Sequence, residues 1–168
     1  MAIDSFKYLS PTSTAIARML IARGSGSTEP IPWTSLPRAL SEATVALVST
    51  AALSMKIDPP FDTEGERANP WWGDPSYRII PRAATAKDIV ASHLHIENFY
   101  LLEDLDVALP LRRLDELVRA GFVRRAAPSH YSVQGYLLDP AEFLATSVPA
   151  MIEHMKREAV DTVVFVPV

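Results

Sequence analysis

The sequence of 168 residues contains no cysteine. Disulfides, thiolate metal sites and thiol nucleophiles are therefore excluded within these residues. An excess of positive charge is also missing, because 16 lysines and arginines stand against 20 aspartates and glutamates, for a formal net charge of −4. Proteins that bind nucleic acids or anionic membranes usually carry a basic stripe, so we expect neither as a partner.

Long apolar runs are absent too. No stretch approaches the roughly 20 apolar residues of a membrane-spanning helix. The N-terminal stretch "MAIDSFKYLSPTSTAIARMLIARG" has neither the basic first segment nor the cleavage site of a secretory signal. No stretch has the glycine spacing of a phosphate-binding loop. The lack of a membrane span and of a secretory signal predicts a cytoplasmic protein. An apolar content of 48% predicts that residues 1–168 form a single domain with a sizeable core.

Strand-like and helix-like patterns alternate along the chain. Apolar runs predict strands over 44–50, 88–95 and 160–168. Amphipathic patterns predict helices over 11–23, over 110–123 with Gly121 as its C-terminal stop, and from Asp139 onward with Pro149 as a kink. The last strand, "VDTVVFVPV", has a continuous apolar centre, which is typical of a strand covered on both faces. The alternation predicts an α/β fold, three-layer and Rossmann-like, with a mostly parallel sheet and ligands beyond the carboxyl ends of its strands.

Residues 54–82 form a long proline-rich stretch between these elements. Connections of this length are usually functional or disordered. The stretch contains four large aromatic side chains, which a solvated tail would not need. We therefore predict an ordered flap.

Within this flap, "GDPSYR" (73–78) has two interpretations. In the first it is a lid, in which Arg78 and Arg82 bind a substrate carboxylate and Tyr77 and Trp72 contact the substrate. In the second it is an Asp-Pro turn whose tyrosine packs and whose arginine is solvated, and Trp72 only anchors the flap. Turns of this composition are common, so the residues alone favour the second interpretation.

Three histidines are the candidates for proton chemistry. His93, His95 and Glu97 alternate in "SHLHIE", and on a strand they would share one face. With His130 of the "PSHY" turn they offer ligands to a divalent metal. The alternative is a set of hydrogen-bonded polar side chains beside a site. Because imidazole titrates near neutral pH, we predict acid–base roles for His93, His95 and His130, and no metal.

Several segments, in order, resemble the selenoprotein B family of the glycine, sarcosine, betaine and D-proline reductases. They are "IPWTSLPRALSEATVALVSTAAL", "PPFD", "GDPSYRIIP", "SHLHIE", "DLDVALPLRRLDELVRAGFV", "APSHYSVQGY" and "VDTVVFVPV". The resemblance runs from about residue 31 to the end of the sequence. It implies reductive cleavage of a carbon–nitrogen bond in a small amino-acid-like substrate, with electrons that come ultimately from dithiols. The nucleophile of the family is a selenocysteine or cysteine directly after the strand that "VDTVVFVPV" resembles.

The resemblance implies more about the chain and its partners. We expect the sequence to be truncated at a selenocysteine codon after Val168, and we expect no other cofactor. The implied partners are a thioredoxin-like or selenoprotein electron-transfer protein and a carbonyl-bearing subunit, within an oligomer. Two alternatives stay open: a non-catalytic binding or scaffold relative of the family, and a histidine metal site that acts hydrolytically.

Overall fold

The computed structural model of the protein describes residues 10–24, 34–69 and 71–168. They belong to two units, divided between Ser35 and Leu36. The first unit contains helix α1 (Pro11–Gly24), which confirms the helix predicted over 11–23. Among the described residues, none of the helices combines the length and the apolar character needed to cross a membrane.

The second unit contains the sheet and the remaining helices. Its strands are β1 (Thr44–Ser49), β2 (Leu53–Met55), β3 (Tyr77–Pro81), β4 (Ile89–Ala91), β5 (Arg125–Ala126), β6 (Ser129–Val133) and β7 (Thr162–Val166). Its α-helices are α2 (Thr63–Ala68), α3 (Asn98–Glu103), α4 (Leu111–Arg119), α5 (Ala141–Ala145) and α6 (Ser147–Arg157). Short 3₁₀ turns cover Leu40–Glu42, Ala86–Asp88 and Leu105–Val107.

Strand β1 is the centre of a curled, mostly parallel sheet. It pairs in parallel with β7 along one edge and with β5 and then β6 along the other. Strand β3 is antiparallel to β6 and completes the sheet on that side. The predicted α/β class with a mostly parallel sheet is therefore confirmed.

The apolar run of β1 is explained by burial on both faces. All six of its residues are buried. Val45 and Leu47 pack into a cluster that includes Leu114 of α4. Ala46 and Val48 point the other way, into a cluster whose members from other elements include Tyr131, Met151 and Met155. Alternate side chains of one strand thus serve two apolar layers, as the pleat of a strand requires.

Strand β7 exists as predicted, but its predicted interior position is wrong. It pairs with β1 over five residue pairs, from Thr162 to Val166. It has no second partner strand among the described residues. As a result Val164 is 45% exposed and Phe165 is 70% exposed. The continuous apolar run therefore belongs to an edge strand, whose outer edge has no pairing partner within residues 10–24, 34–69 and 71–168.

The predicted strand over 88–95 is also much shorter. Only β4 is extended, and it pairs with β2 in a separate two-stranded sheet. His93 and His95 follow it outside any strand, and His95 lies in a turn, so the prediction that they share a strand face with Glu97 is wrong. The physical reason is local: the Nδ1 atom of His93 accepts the backbone N–H of His95 at 3.1 Å, and the Glu97 side chain accepts the N–H of Phe99 to begin α3. Such side chain–backbone bonds compete with strand pairing.

Two prolines decide where other predicted elements break. The predicted "PSHY" turn is wrong, because His130 lies inside β6. Pro128 stands between β5 and β6 and has no N–H for the ladder.

The predicted single helix with a kink at Pro149 is instead two helices, with the break at Thr146. Pro149 cannot donate to the carbonyl of Ala145, so α6 starts anew and takes the proline into its first turn.

The segment predicted as a flap is largely regular. Residues 54–82 contain the end of β2, all of α2 and all of β3, a strand of the main sheet. Its role as a flap stays a prediction, as does the Rossmann-like, three-layer description of the fold.

Candidate functional site

Polar side chains converge at the carboxyl ends of β1 and β6. Two backbone hydrogen bonds of Ala52 join the chain after β1 to the end of β6 and to the segment after β4. The N–H of Ala52 donates to the carbonyl of Val133 at 3.0 Å, and its carbonyl accepts the N–H of Ser92 at 3.0 Å. Ala52 has a positive φ of 51°, which is strained for a residue other than glycine. The loop that carries His93 and His95 is therefore anchored to this edge of the sheet, where α/β proteins usually bind ligands.

The central pair of the site is Glu66 and His95. Glu66 lies on α2 and is only 3% exposed, while the side chain of His95 is 50% exposed. The Oε1 atom of Glu66 is 2.6 Å from Nε2 of His95. The ring of His95 also packs on Tyr136, with 4.2 Å between ring centroids. The pair joins a buried carboxylate to an imidazole that solvent and small molecules can reach.

Buried amide and carboxylate groups extend this pair into a network. Gln134, directly after β6, donates from Nε2 to Oε2 of Glu66 and accepts the backbone N–H of Asp74 at Oε1. Asp74 accepts the N–H of Asp62 at 2.9 Å and both the N–H and the hydroxyl of Ser76. The network thereby holds α2 and the segment around residue 74 to the end of β6.

His93 is the buried neighbour of His95. Their ring centroids are 5.8 Å apart in an edge-to-face arrangement. Burial lowers the pKa of His93, the nearby His95 lowers it further, and the opposing effect of Glu66 is smaller. At neutral pH His93 is therefore an uncharged hydrogen-bonding group. We call Glu66, Asp74, His93, His95 and Gln134 the carboxyl-edge cluster.

The structure does not bring His130 into this cluster. It lies four residues before Gln134 on β6, roughly 13 Å away along an extended chain. It is completely buried, its Nδ1 accepts the N–H of Leu47 at 3.0 Å, and its Nε2 has no partner within the described chain. Burial lowers its pKa to about 4, and Arg82 adds to the shift.

The two arginines predicted to bind substrate lie apart and are engaged with the protein. Arg82 follows β3 next to Pro128, at the amino end of β6, and forms an ion pair with Asp115 at 2.7 Å. Arg78 donates to the carbonyl of Pro59 at 2.8 Å, among other protein acceptors. Its guanidinium also stacks over the ring of Phe61 at 4.4 Å. These contacts fasten β3 to the chain before α2.

Tyr77 and Trp72 also contact the scaffold. Tyr77 begins β3 and packs against Tyr131, with ring centroids 6.3 Å apart. Trp72 is half-buried and lies so close to α2 that a Cβ atom on Gly65 would be 2.7 Å from its ring. A Cβ on the neighbouring Gly73 would overlap the carbonyl oxygen of Tyr136, which brings this segment directly against the chain after β6. The substrate-binding roles of the arginines, Tyr77 and Trp72 stay predictions.

The sequence reasoning missed Glu66 and Gln134. Nothing local distinguishes the buried Glu66 from the exposed Glu64 on the same short helix. Gln134 has a local signal in the sequence, because it directly follows "SHYSV", which forms β6. No group of three or more histidine, aspartate or glutamate side chains within the described ranges is arranged to hold a metal ion.

An apolar cavity of about 620 Å³ opens beside the cluster. It lies between the sheet and helices α5 and α6, and Thr50, Gln134 and Gly135 line it next to the carboxyl edge. The other lining side chains are all apolar and include Val48, Phe143, Met151, Ile152, Met155 and Phe165. Its volume is within the range of small-molecule sites.

Comparison with known proteins gives one informative match. No protein-family model matches the sequence, and no solved structure matches it. The chain is 31% identical over 136 residues to D-proline reductase subunit gamma of Acetoanaerobium sticklandii. The aligned region covers 81% of this chain and 53% of that protein, so the chain spans about half the length of the curated relative it matches. This similarity supports a relationship to the reductase family, and it does not single out the selenoprotein B member.

Proposed function

We propose that the chain is part of a reductase that cleaves a carbon–nitrogen bond of a small amino-acid-like substrate, with a dithiol/disulfide couple as the source of electrons. The observation that carries this proposal is the similarity to D-proline reductase subunit gamma over 136 residues. The carboxyl-edge cluster supports it, because it combines buried and accessible titratable groups where an α/β sheet binds ligands.

His95 is the group that we assign to proton transfer. Reductive cleavage delivers two electrons to the carbon–nitrogen bond, and the departing amine needs a proton. His95 is accessible, and its contact with the Glu66 carboxylate at 2.6 Å orients the ring for such a proton transfer. His93 lies beside it as a neutral partner. The role predicted for His130 stays a prediction.

The electrons have to come from outside these residues. The 168 residues contain no cysteine, so a thiol or selenol must be supplied by another polypeptide segment or another chain. The relative is named as a subunit, which supports a multi-subunit assembly. We therefore extend the proposal to a thioredoxin-like or selenoprotein electron-transfer partner and to a carbonyl-bearing subunit.

The finer description of the fold belongs to the same proposal. Apolar clusters cover both faces of β1, one of them including residues of α3 and α4 and the other residues of α6. This supports a Rossmann-like, three-layer domain. That residues 54–82 act as a flap over the carboxyl edge is a further part of the proposal.

Binding of small amino-acid-like compounds tests the proposed function. D-proline, glycine, sarcosine and betaine are titrated separately into the ¹⁵N-labelled protein, with L-proline as the matched control. We expect one of the four to give saturable shifts centred on His93, His95 and Gln134, and His95→Gln to weaken them. Equal effects of D- and L-proline would argue against a proline site, and no saturable shift with any of the four compounds would contradict the proposal.

A non-catalytic binding or scaffold role is the second candidate, favoured by the absence of cysteine. The same titrations distinguish it from the first when excess dithiothreitol is added. Reductive opening of a bound proline ring yields 5-aminopentanoate, which chromatography detects. Binding without this product, with the electron-transfer partner and the carbonyl-bearing subunit also present, would favour the non-catalytic role.

A further inference from the structure

The hydrogen bonds of the carboxyl-edge cluster have a fixed direction. A backbone N–H only donates, so the bond from Asp74 makes Oε1 of Gln134 an acceptor. The other end of that amide, Nε2, must then donate to Oε2 of Glu66. The orientation of the Gln134 amide, which is often ambiguous in proteins, is therefore determined by its partners.

This direction passes on to His95. Glu66 presents its second oxygen, Oε1, to Nε2 of His95 at 2.6 Å. A carboxylate oxygen accepts, so Nε2 carries the proton and the neutral ring has its acceptor at Nδ1. Within the described chain Nδ1 of His95 has no hydrogen-bond partner, and the ring is half exposed. The atom that remains for chemistry is Nδ1.

The arrangement is built into the interior. Glu66 and Gln134 are both buried, and burying a carboxylate is costly unless hydrogen bonds satisfy it. Both oxygens of Glu66 are satisfied by this arrangement. The Tyr136 ring packs against His95 and holds the imidazole plane in place.

From this geometry we propose that Glu66 and Gln134 are positioning residues that hold His95 in its Nε2–H tautomer and present Nδ1 as the working atom. The tautomer is a property of the chain itself. Only the use of Nδ1 to protonate a departing amine rests on the function proposed above.

A substitution that keeps the shape of Glu66 tests the proposal. In Glu66→Gln the new side chain has a single acceptor oxygen, and the fixed donor of Gln134 takes it. The new amide NH₂ then faces Nε2 of His95, which has to become the acceptor. We expect the neutral ring to switch to the Nδ1–H tautomer. Long-range ¹H–¹⁵N spectra of histidine-labelled protein, recorded at a pH where His95 is uncharged, separate the two tautomers.

The exchanged pair provides the control. In Glu66→Gln/Gln134→Glu the new carboxylate accepts from Asp74 and from the new amide at position 66, whose oxygen again accepts from His95. The double variant has the same composition and net charge as the wild type, and we expect the Nε2–H tautomer to return. Loss of packing alone would not be repaired in this way.

The outcomes separate the two proposals. An Nδ1–H tautomer in the wild-type protein would overturn the positioning role without any variant, and so would an unchanged tautomer in folded Glu66→Gln. Failure of the double variant to recover the Nε2–H form would also count against it. If all three tautomer results are as expected and no amino-acid substrate binds, the proposed function fails and the positioning role stands.

Discussion

His130 and His95 show how surroundings decide what one side chain does. His130 is completely buried in β6, where its Nδ1 accepts the N–H of Leu47. Burial lowers its pKa to about 4, and the nearby Arg82 opposes protonation, while Asp115 and Glu158 favour it less strongly. His95 is half exposed and bonded to a carboxylate. The first is a neutral part of the sheet, and the second has the solvent access that proton transfer requires.

The depressed pKa of His130 predicts a dependence of stability on pH. In the unfolded chain its pKa returns to about 6.5, so the unfolded state binds more protons between pH 6.5 and 4. The part of the free energy of unfolding that depends on an uncharged His130 is fully present above pH 6.5 and is lost as the pH falls toward 4. At pH 5 the loss is about 2 kcal/mol. Urea unfolding at pH 7.5 and at pH 5 measures it.

The matched control is His130→Asn, whose side-chain oxygen takes the place of Nδ1 as acceptor for Leu47. Other groups, including His93, titrate in both proteins. The loss of unfolding free energy between pH 7.5 and pH 5 is therefore compared between the two proteins, and the difference isolates His130. Equal losses of unfolding free energy in the wild type and in His130→Asn would contradict the assignment.

At the scale of elements, helices α4 and α6 end in the same motif with different residues. After α4, Gly121 has a φ of 77°, and Phe122 donates to the carbonyl of Leu117 at 3.0 Å. After α6, Ala159 has a φ of 53°, and Val160 donates to Met155 at 3.0 Å. Both are Schellman motifs, and only the first has the glycine that the left-handed position favours.

Two single substitutions, one after each helix, test this comparison. Ala159→Gly relieves the left-handed strain of an alanine, and we expect the free energy of unfolding to rise by up to about 1 kcal/mol. Gly121→Ala imposes the same strain after α4, although the space around it is open, and we expect a loss of about 1 kcal/mol. Urea unfolding of both variants at neutral pH measures the changes. A loss of stability in Ala159→Gly would contradict the expectation.

These helix ends also show what the sequence can predict. The stop signal at Gly121, just after α4, depends on local chemistry and agrees with the prediction, as do the stretches of sequence that form β1 and β7, although β7 lies at the edge of the sheet. The histidine loop was not, because a side chain–backbone bond between His93 and His95 replaces strand pairing. Glu66 was not predictable either, since its burial depends on Gln134, which is 68 residues away in the sequence.

At the scale of the whole second unit, the topology of the sheet determines where the carboxyl-edge cluster lies. Strands β1, β6 and β7 run in the same direction, so their carboxyl ends meet at one edge. Segments from α2, from the loop after β4 and from the chain after β6 reach that edge and supply the cluster. The apolar cavity adjoins it on the side of α5 and α6. One edge of the sheet thus combines an accessible imidazole with apolar space.

The outer edge of β7, which is unpaired in the part of the chain that the structure describes, predicts that the 168-residue chain associates with itself. An unpaired strand edge is a template for pairing with another chain. Val164 is 45% exposed there and faces away from Val163, which packs on the core. We expect the mean mass in sedimentation velocity to rise with concentration for the wild type. Val164→Lys should reduce this rise, because a lysine on an edge strand opposes strand pairing.

Leu117→Lys is the matched control for this experiment. Leu117 is also 45% exposed, but it lies on α4 and not on the sheet edge. A general effect of surface hydrophobicity would lower the association of both variants equally, whereas pairing through β7 requires that only Val164→Lys does so. A wild-type chain that stays monomeric across the concentration series would refute pairing through β7 outright.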